Sequence, residues 1–128
     1  KAMKYSFFYF IQLLTIVSLL LSSCDDFFED DISDKTIQVI CPSDKTEISS
    51  NKISFVWSEE DGVEKYHVVI VSPSFDKAQQ LVCDTILTSY KMELQLPKGD
   101  YQWSIQAENS GYKSLINYLT FKIKVDEE

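Results

Sequence analysis

From Thr36 onward, apolar and polar residues alternate with a period of two. Ile53, Phe55 and Trp57 alternate with Ser54, Val56 and Ser58, and Tyr66, Val68 and Ile70 with His67, Val69 and Val71. The same holds for Tyr90, Met92, Leu94 and Leu96 against Lys91, Glu93 and Gln95. It holds again for Tyr101, Trp103, Ile105 and Ala107 against Gln102, Ser104, Gln106 and Glu108. Leu119, Phe121, Ile123 and Val125 alternate with Thr120, Lys122 and Lys124. Successive side chains of a strand point to opposite faces, so each stretch predicts one core-facing and one water-facing surface. The apolar runs at 37–41 and 81–88 bring the expected strands to seven. Turn residues at Pro42-Ser43-Asp44, Asp61-Gly62, Ser72-Pro73-Ser74, Pro97-Lys98-Gly99 and Asn109-Ser110-Gly111 separate most of them. No segment after Cys24 shows a 3.6-residue period. The pattern predicts an all-β, seven-stranded antiparallel sandwich over residues 36–128.

The alternation is absent before Thr36. Lys1 and Lys4 precede a stretch from Tyr5 to Cys24 without charge, apolar over residues 7–21 except at Gln12, Thr15 and Ser18. A membrane-spanning helix needs about 20 apolar residues, so an uncleaved helix is one reading. A secretory signal has a basic start, an apolar centre of roughly 7–15 residues and small residues before the cut. Leu21-Ser22-Ser23-Cys24 favours the signal. It resembles the lipobox of bacterial lipoproteins, a large aliphatic residue, two small ones and an obligatory Cys. The resemblance implies transfer of diacylglycerol to the Cys24 sulfur, cleavage before Cys24 and acylation of the new amino terminus. At about 0.8 kcal/mol per buried CH₂, several acyl chains would anchor the protein stably to a bilayer. Expected units are a signal peptide (1–23), a lipidated Cys with an acidic linker (24–35) and the sandwich (36–128).

Residues 25–34 carry six acids and no base: Asp25, Asp26, Glu29, Asp30, Asp31 and Asp34. The plain expectation is a solvated, self-repelling linker. A calcium loop would need the EF-hand spacing with its central Gly, which the run lacks. Asp25, Asp26, Glu29, Asp30 and Asp31 also resemble the acidic export signal that follows the lipidated Cys in surface lipoproteins of the Bacteroidetes. That resemblance implies an outer-membrane protein facing the cell surface, with the periplasmic face as the alternative. Phe27 and Phe28 would lie near lipid headgroups.

Charge narrows the partners. Acids outnumber bases 20 to 12, a net charge of −8, and every base is Lys. Nucleic-acid affinity comes largely from neutralising phosphates, so a nucleic-acid partner is not expected. Three Gly leave no glycine-rich phosphate loop, and a single His leaves no His-rich metal site. Neither cofactor nor metal is expected.

The stretch from Leu96-Pro97-Lys98-Gly99-Asp100-Tyr101 through Ala107-Glu108-Asn109-Ser110-Gly111 resembles the corner and sixth strand of fibronectin type III domains, within the immunoglobulin-like class. The shared features are Leu-x-Pro, a Gly, Tyr with alternating apolar residues, Ala, Asn and a later Gly. Trp57 fits the family's second-strand Trp and Tyr66 its third-strand Tyr. The resemblance implies that Tyr101 is a tyrosine corner, its hydroxyl bonded to backbone a few residues upstream. Gln102, on the opposite face, is expected to tolerate replacement. Trp103 stands two residues after the corner, where an immunoglobulin domain places Cys, so that disulfide is not expected. Short modules of this kind also resemble the membrane-proximal domains of SusE-like outer-membrane lipoproteins.

Candidate chemistry is sparse. Cys41 and Cys83 fall on strands of different sheets and are expected to be packed thiols rather than a bridge. Cys41 shares the inward parity of Ile37 and Val39, whereas His67 faces outward, so no Cys–His pair is expected. Glu59, Glu60, Asp61 and Glu64 cluster on a hairpin tip, which offers no walls for glycoside hydrolysis. Phe75, Tyr112, Lys113 and Tyr118 sit on or beside connections and are the candidate binding residues, with the start of the seventh strand, and packing there, as the alternative for Tyr118. The outer face of the third, sixth and seventh strands is expected to carry no aromatic ring. Two non-enzymatic readings follow: an interaction or spacer module of an envelope assembly, partnered by another envelope protein, or a small glycan-binding lipoprotein.

Overall fold

The structure, a computed structural model, describes residues 2–21 and 29–125. Ser22, Ser23, Cys24, Asp25, Asp26, Phe27 and Phe28 lie outside the described residues, and with them most of the lipobox-like motif, the start of the acidic run and the two rings expected near lipid headgroups. Ala2–Leu21 form a helix, α1. Its apolar side chains between Tyr5 and Ile16 are exposed, Phe8 at 76%, and among the described residues it touches none of the strands. No described helix is long and apolar enough to cross a membrane.

The strands are β1 (Val39–Cys41), β2 (Thr46–Ile48), β3 (Lys52–Trp57), β4 (Lys65–Ser72), β5 (Gln80–Leu87), β6 (Lys91–Gln95), β7 (Gly99–Glu108) and β8 (Asn117–Ile123). They form two sheets, ordered β1-β3-β6 and β2-β8-β7-β4-β5. The sandwich is thus the expected one with an extra strand. The chain of the first expected strand reaches Pro42, which has no N–H to continue the ladder. It turns through Lys45 in the left-handed region (φ 59°), and β2 then joins the other sheet, parallel to β8. Asp44 secures the crossing by accepting the Thr120 N–H at 2.9 Å.

The core lies between the sheets, and its residues are the inward ones of the period-two pattern. Phe55, Trp57, Val68, Ile70, Trp103, Ile105 and Ile123 are all less than 2% exposed. Phe55 of one sheet meets Trp103 and Phe121 of the other edge-on, at centroid distances of 5.0 and 5.8 Å, a favourable aromatic geometry. The Tyr101 hydroxyl donates to the Pro97 carbonyl at 2.6 Å, so the tyrosine corner forms as the resemblance implied.

Candidate functional site

Each sheet strand runs between two ends of the sandwich, and the two ends differ. At one end lie the β3–β4 and β7–β8 connections, and residues 29–35 are built into it. Ile32 and Ile37 are completely buried in the core cluster. The Asn109 side-chain amide donates to the Asp30 carbonyl at 2.8 Å and to the Gly62 carbonyl at 2.9 Å. Its side-chain oxygen accepts the N–H groups of Gly111 and Tyr112 at 3.0 and 2.8 Å. Ser110 donates to the Glu29 carboxylate, Leu115 N–H to the Lys35 carbonyl at 2.9 Å, and Asn117 to the Ile37 carbonyl at 3.0 Å.

Gly62 makes this approach feasible. Its φ is +83°, and a Cβ there would stand 2.7 Å from the Asp30 Cβ, so both conformation and space demand Gly. Residues 29–35, expected as a solvated linker, are therefore a strap fastened to the domain. The Asp31 carboxylate folds back on its own turn. It accepts the Ser33 hydroxyl and N–H, at 2.5 and 3.0 Å, and these bonds hold its pKa below the ordinary value. Sequence alternation misses the strap because it is neither strand nor helix. Its one signal is Ile32, an isolated apolar residue in an acidic run.

The candidate binding residues divide. Tyr112 and Lys113 belong to the strap end, where Lys113 and Lys65 both reach the nearly buried Glu108 carboxylate at 3.7 Å. Phe75 and Tyr118 come together instead on the outer face of the five-stranded sheet. Tyr118 pairs with Ser104 across β7 and β8, which puts its ring on the outward face. The β4–β5 connection folds back so that Phe75 meets Tyr118 edge-on, with centroids 5.4 Å apart and planes at 81°. Phe75 N–H donates to the Gln102 side-chain oxygen at 2.8 Å. Val71, in register with Gln102, is 5% exposed yet belongs to no part of the core cluster, consistent with cover from this connection. The expectation of an outer face without rings is corrected: loop folding, which strand parity cannot register, brings Phe75 there, and β8 begins at Asn117, early enough to include Tyr118. Gln102, expected to be dispensable, is the residue that fastens the loop.

Among the described residues the cysteines are Cys41 and Cys83, which are unpaired and half-buried. Cys41 does not keep the parity of Val39, because a register shift puts Val39 opposite Trp57 but Cys41 opposite Val56. Its sulfur lies 3.3 Å from the Ser54 carbonyl. Cys83 packs against the core, and burial, aided by the Asp84 charge, pushes its pKa up. His67 Nε2 lies 2.6 Å from Asp84 Oδ1 on the outer face. The Tyr66 hydroxyl accepts the Glu60 N–H at 3.3 Å, and burial raises its pKa. A groove beside the strand crossing is lined by Thr36, Gln38, Ser43, Asp44, Asn117 and Leu119 among others. Its carboxylate, Asp44, is already engaged by Thr120. Among the described residues no three of His, Cys, Asp or Glu are grouped to hold a metal.

Solved structures confirm the fold. The fibronectin type III domain of human collagen alpha-1(XX) is 13% identical with a TM-score of 0.55, over 81% of this chain and 96% of that one. The domain from human KIAA0970 protein is 21% identical with a TM-score of 0.55, over 79% and 80%. A fibronectin(III)-like module of Clostridium thermocellum CbhA is 10% identical with a TM-score of 0.50, over 72% of this chain and all of that one. No family model and no curated protein sequence matches the chain. The domain is a fibronectin type III-like, immunoglobulin-class sandwich.

Proposed function

We infer that this chain is a lipid-anchored envelope protein whose domain acts as a non-enzymatic interaction or spacer module. It resides in the outer membrane, faces the cell surface and meets another envelope protein through its outer sheet face. The observation that carries the reading is the strap. Asp30 and Ile32, six and eight positions after the Cys of the lipobox-like Leu21-Ser22-Ser23-Cys24, are fastened to the domain, Asp30 by Asn109 and Ile32 by its burial in the core, as a module held close to an anchor requires. The outer face of the five-stranded sheet supplies the contact surface, with Tyr118, Leu81 and Ile86 more than half exposed.

The glycan reading has one observation in its favour, the Phe75–Tyr118 pair on that face. A sugar ring stacks on a broad flat aromatic surface, and two rings at 81° do not make one. The protein partner is therefore preferred.

Mass spectrometry of the mature chain tests the anchor. Acyl chains on an amino-terminal Cys24, and an unlabelled, uncleaved precursor from Cys24→Ala, are the expected results. A mature chain beginning elsewhere would overturn the reading. For the export signal, Asp25→Ala with Asp26→Ala is the clean pair, since the carboxylates of Glu29 and Asp31 also hold the strap, through Ser110 and Ser33. Retention away from the surface, read by protease accessibility on whole cells, is expected.

A further inference from the structure

We propose that the β7–β8 connection is a lipid-docking surface, with Tyr112, Leu115 and Ile116 resting on the bilayer that holds the chain. The proposal rests on the anchoring reading and adds to it the domain's orientation. Glu29, bonded to Ser110, is the first described residue of the strap, and Gly111 packs beside it, a Cβ there falling 3.6 Å from the Glu29 Cβ. Four residues lie between Cys24 and Glu29, and the five steps from one to the other span at most about 18 Å even when fully extended. An anchor at Cys24 therefore keeps the β7–β8 connection within that distance of the headgroups, whatever path the intervening chain takes.

The surface so held is suited to an interface. Tyr112, Leu115 and Ile116 are 39%, 54% and 44% exposed, three apolar side chains within five positions of one connection. Tyr and Lys are amphipathic residues that settle at headgroup level, and Lys113, 67% exposed in its side chain, stands between them. The same end carries Glu29, Asp30, Asp31, Asp34, Glu59, Glu60, Asp61 and Glu64, so docking is expected on neutral rather than anionic lipid. The opposite end, at the β6–β7 connection with Lys98, is separated by the ten-residue β7, roughly 30 Å.

The test uses the full acylated chain recovered from membranes and placed in phosphatidylcholine vesicles with brominated acyl chains. Trp57 and Trp103 are buried and supply a common background. Tyr112→Trp should lose at least about half of its added emission to bromine quenching, and Lys98→Trp almost none. Adding Leu115→Ser and Ile116→Ser to Tyr112→Trp should reduce the quenching to the Lys98→Trp level. Equal quenching of the two single variants overturns the docking, and quenching unchanged by the Ser pair overturns the role of the patch. The acyl mass of the same sample separates these failures from that of the anchor. A chain without acyl groups overturns the anchoring reading itself.

Discussion

The side-chain amide of Asn109 donates to the Asp30 carbonyl at 2.8 Å across a sequence separation of 79 residues. One planar group thereby joins the entering chain, the β3–β4 connection and the turn after β7. Each donated bond contributes about 0.5–1.5 kcal/mol net, and the carbonyls left behind cost more where water cannot reach them. Asn109→Ala should therefore destabilise the domain by about 2–4 kcal/mol. Hydrogen exchange should show residues 30–35 losing protection first. A loss confined to the β7–β8 turn would mean that the strap is held by Ile32 alone.

Ile32 gives the sharper test of where the domain begins. It is completely buried, and truncating such a side chain costs about 2–5 kcal/mol. Ile32→Ala should shift a denaturant titration by that amount, while Asp34→Ala, two residues on and exposed, should stay within about 0.5 kcal/mol. Equal, negligible effects would return the segment to the status of a linker.

The corner tests the register of β7. Tyr101→Phe removes the donor to Pro97 and should cost about 1–3 kcal/mol. Gln102→Ala should cost about 0.5–1.5 kcal/mol through the lost acceptor for Phe75, and it should release the β4–β5 connection, seen as increased exchange at residues 74–76. Gln95→Ala, exposed on β6, is the neutral control. Wild-type behaviour of Tyr101→Phe would put the ring of Tyr101 on the wrong face.

Cys83 predicts a pH dependence. Its pKa is raised by burial and then by Asp84, so the thiolate, the reactive form, appears at higher pH than in a free cysteine. Alkylation by iodoacetamide at pH 8 should be slower than for an unhindered cysteine peptide, and its rate should level off at a higher pH than the peptide's. Asp84→Asn removes the second cause and should increase the rate. Identical pH profiles for wild type and variant would eliminate the charge effect.

The sequence made the strands legible because their faces obey a period-two rule, and the core followed from it down to Phe55, Trp103 and Ile123. The tyrosine corner was legible for a different reason: a short local motif carries it. What escaped reading is long-range and irregular. The strand crossing at Pro42 looked like a simple turn, since nothing local says which sheet the next three residues will join. The parity of Cys41 failed because one shifted residue reverses a face. Phe75 and Gln102 lie 27 positions apart, and neither alternation nor turn chemistry predicts that a loop will fold over the sheet beside it.

The parallel pairing of β2 with β8 has a mechanical consequence. Both strands run away from the strap end, and one belongs to the beginning of the sandwich and the other to its last strand. Tension applied between the strap and the end of β8 would slide the two strands along each other. Their hydrogen bonds lie across that direction, so Thr46, Glu47 and Ile48 would share the load with Phe121, Lys122 and Ile123 at once instead of opening one by one. The Lys124–Glu47 ion pair, at 2.5 Å, would strain with them. A domain tethered at that end is thus set to resist pulling as a clamp in shear, and the three-residue strand that the sequence concealed would be the clamp.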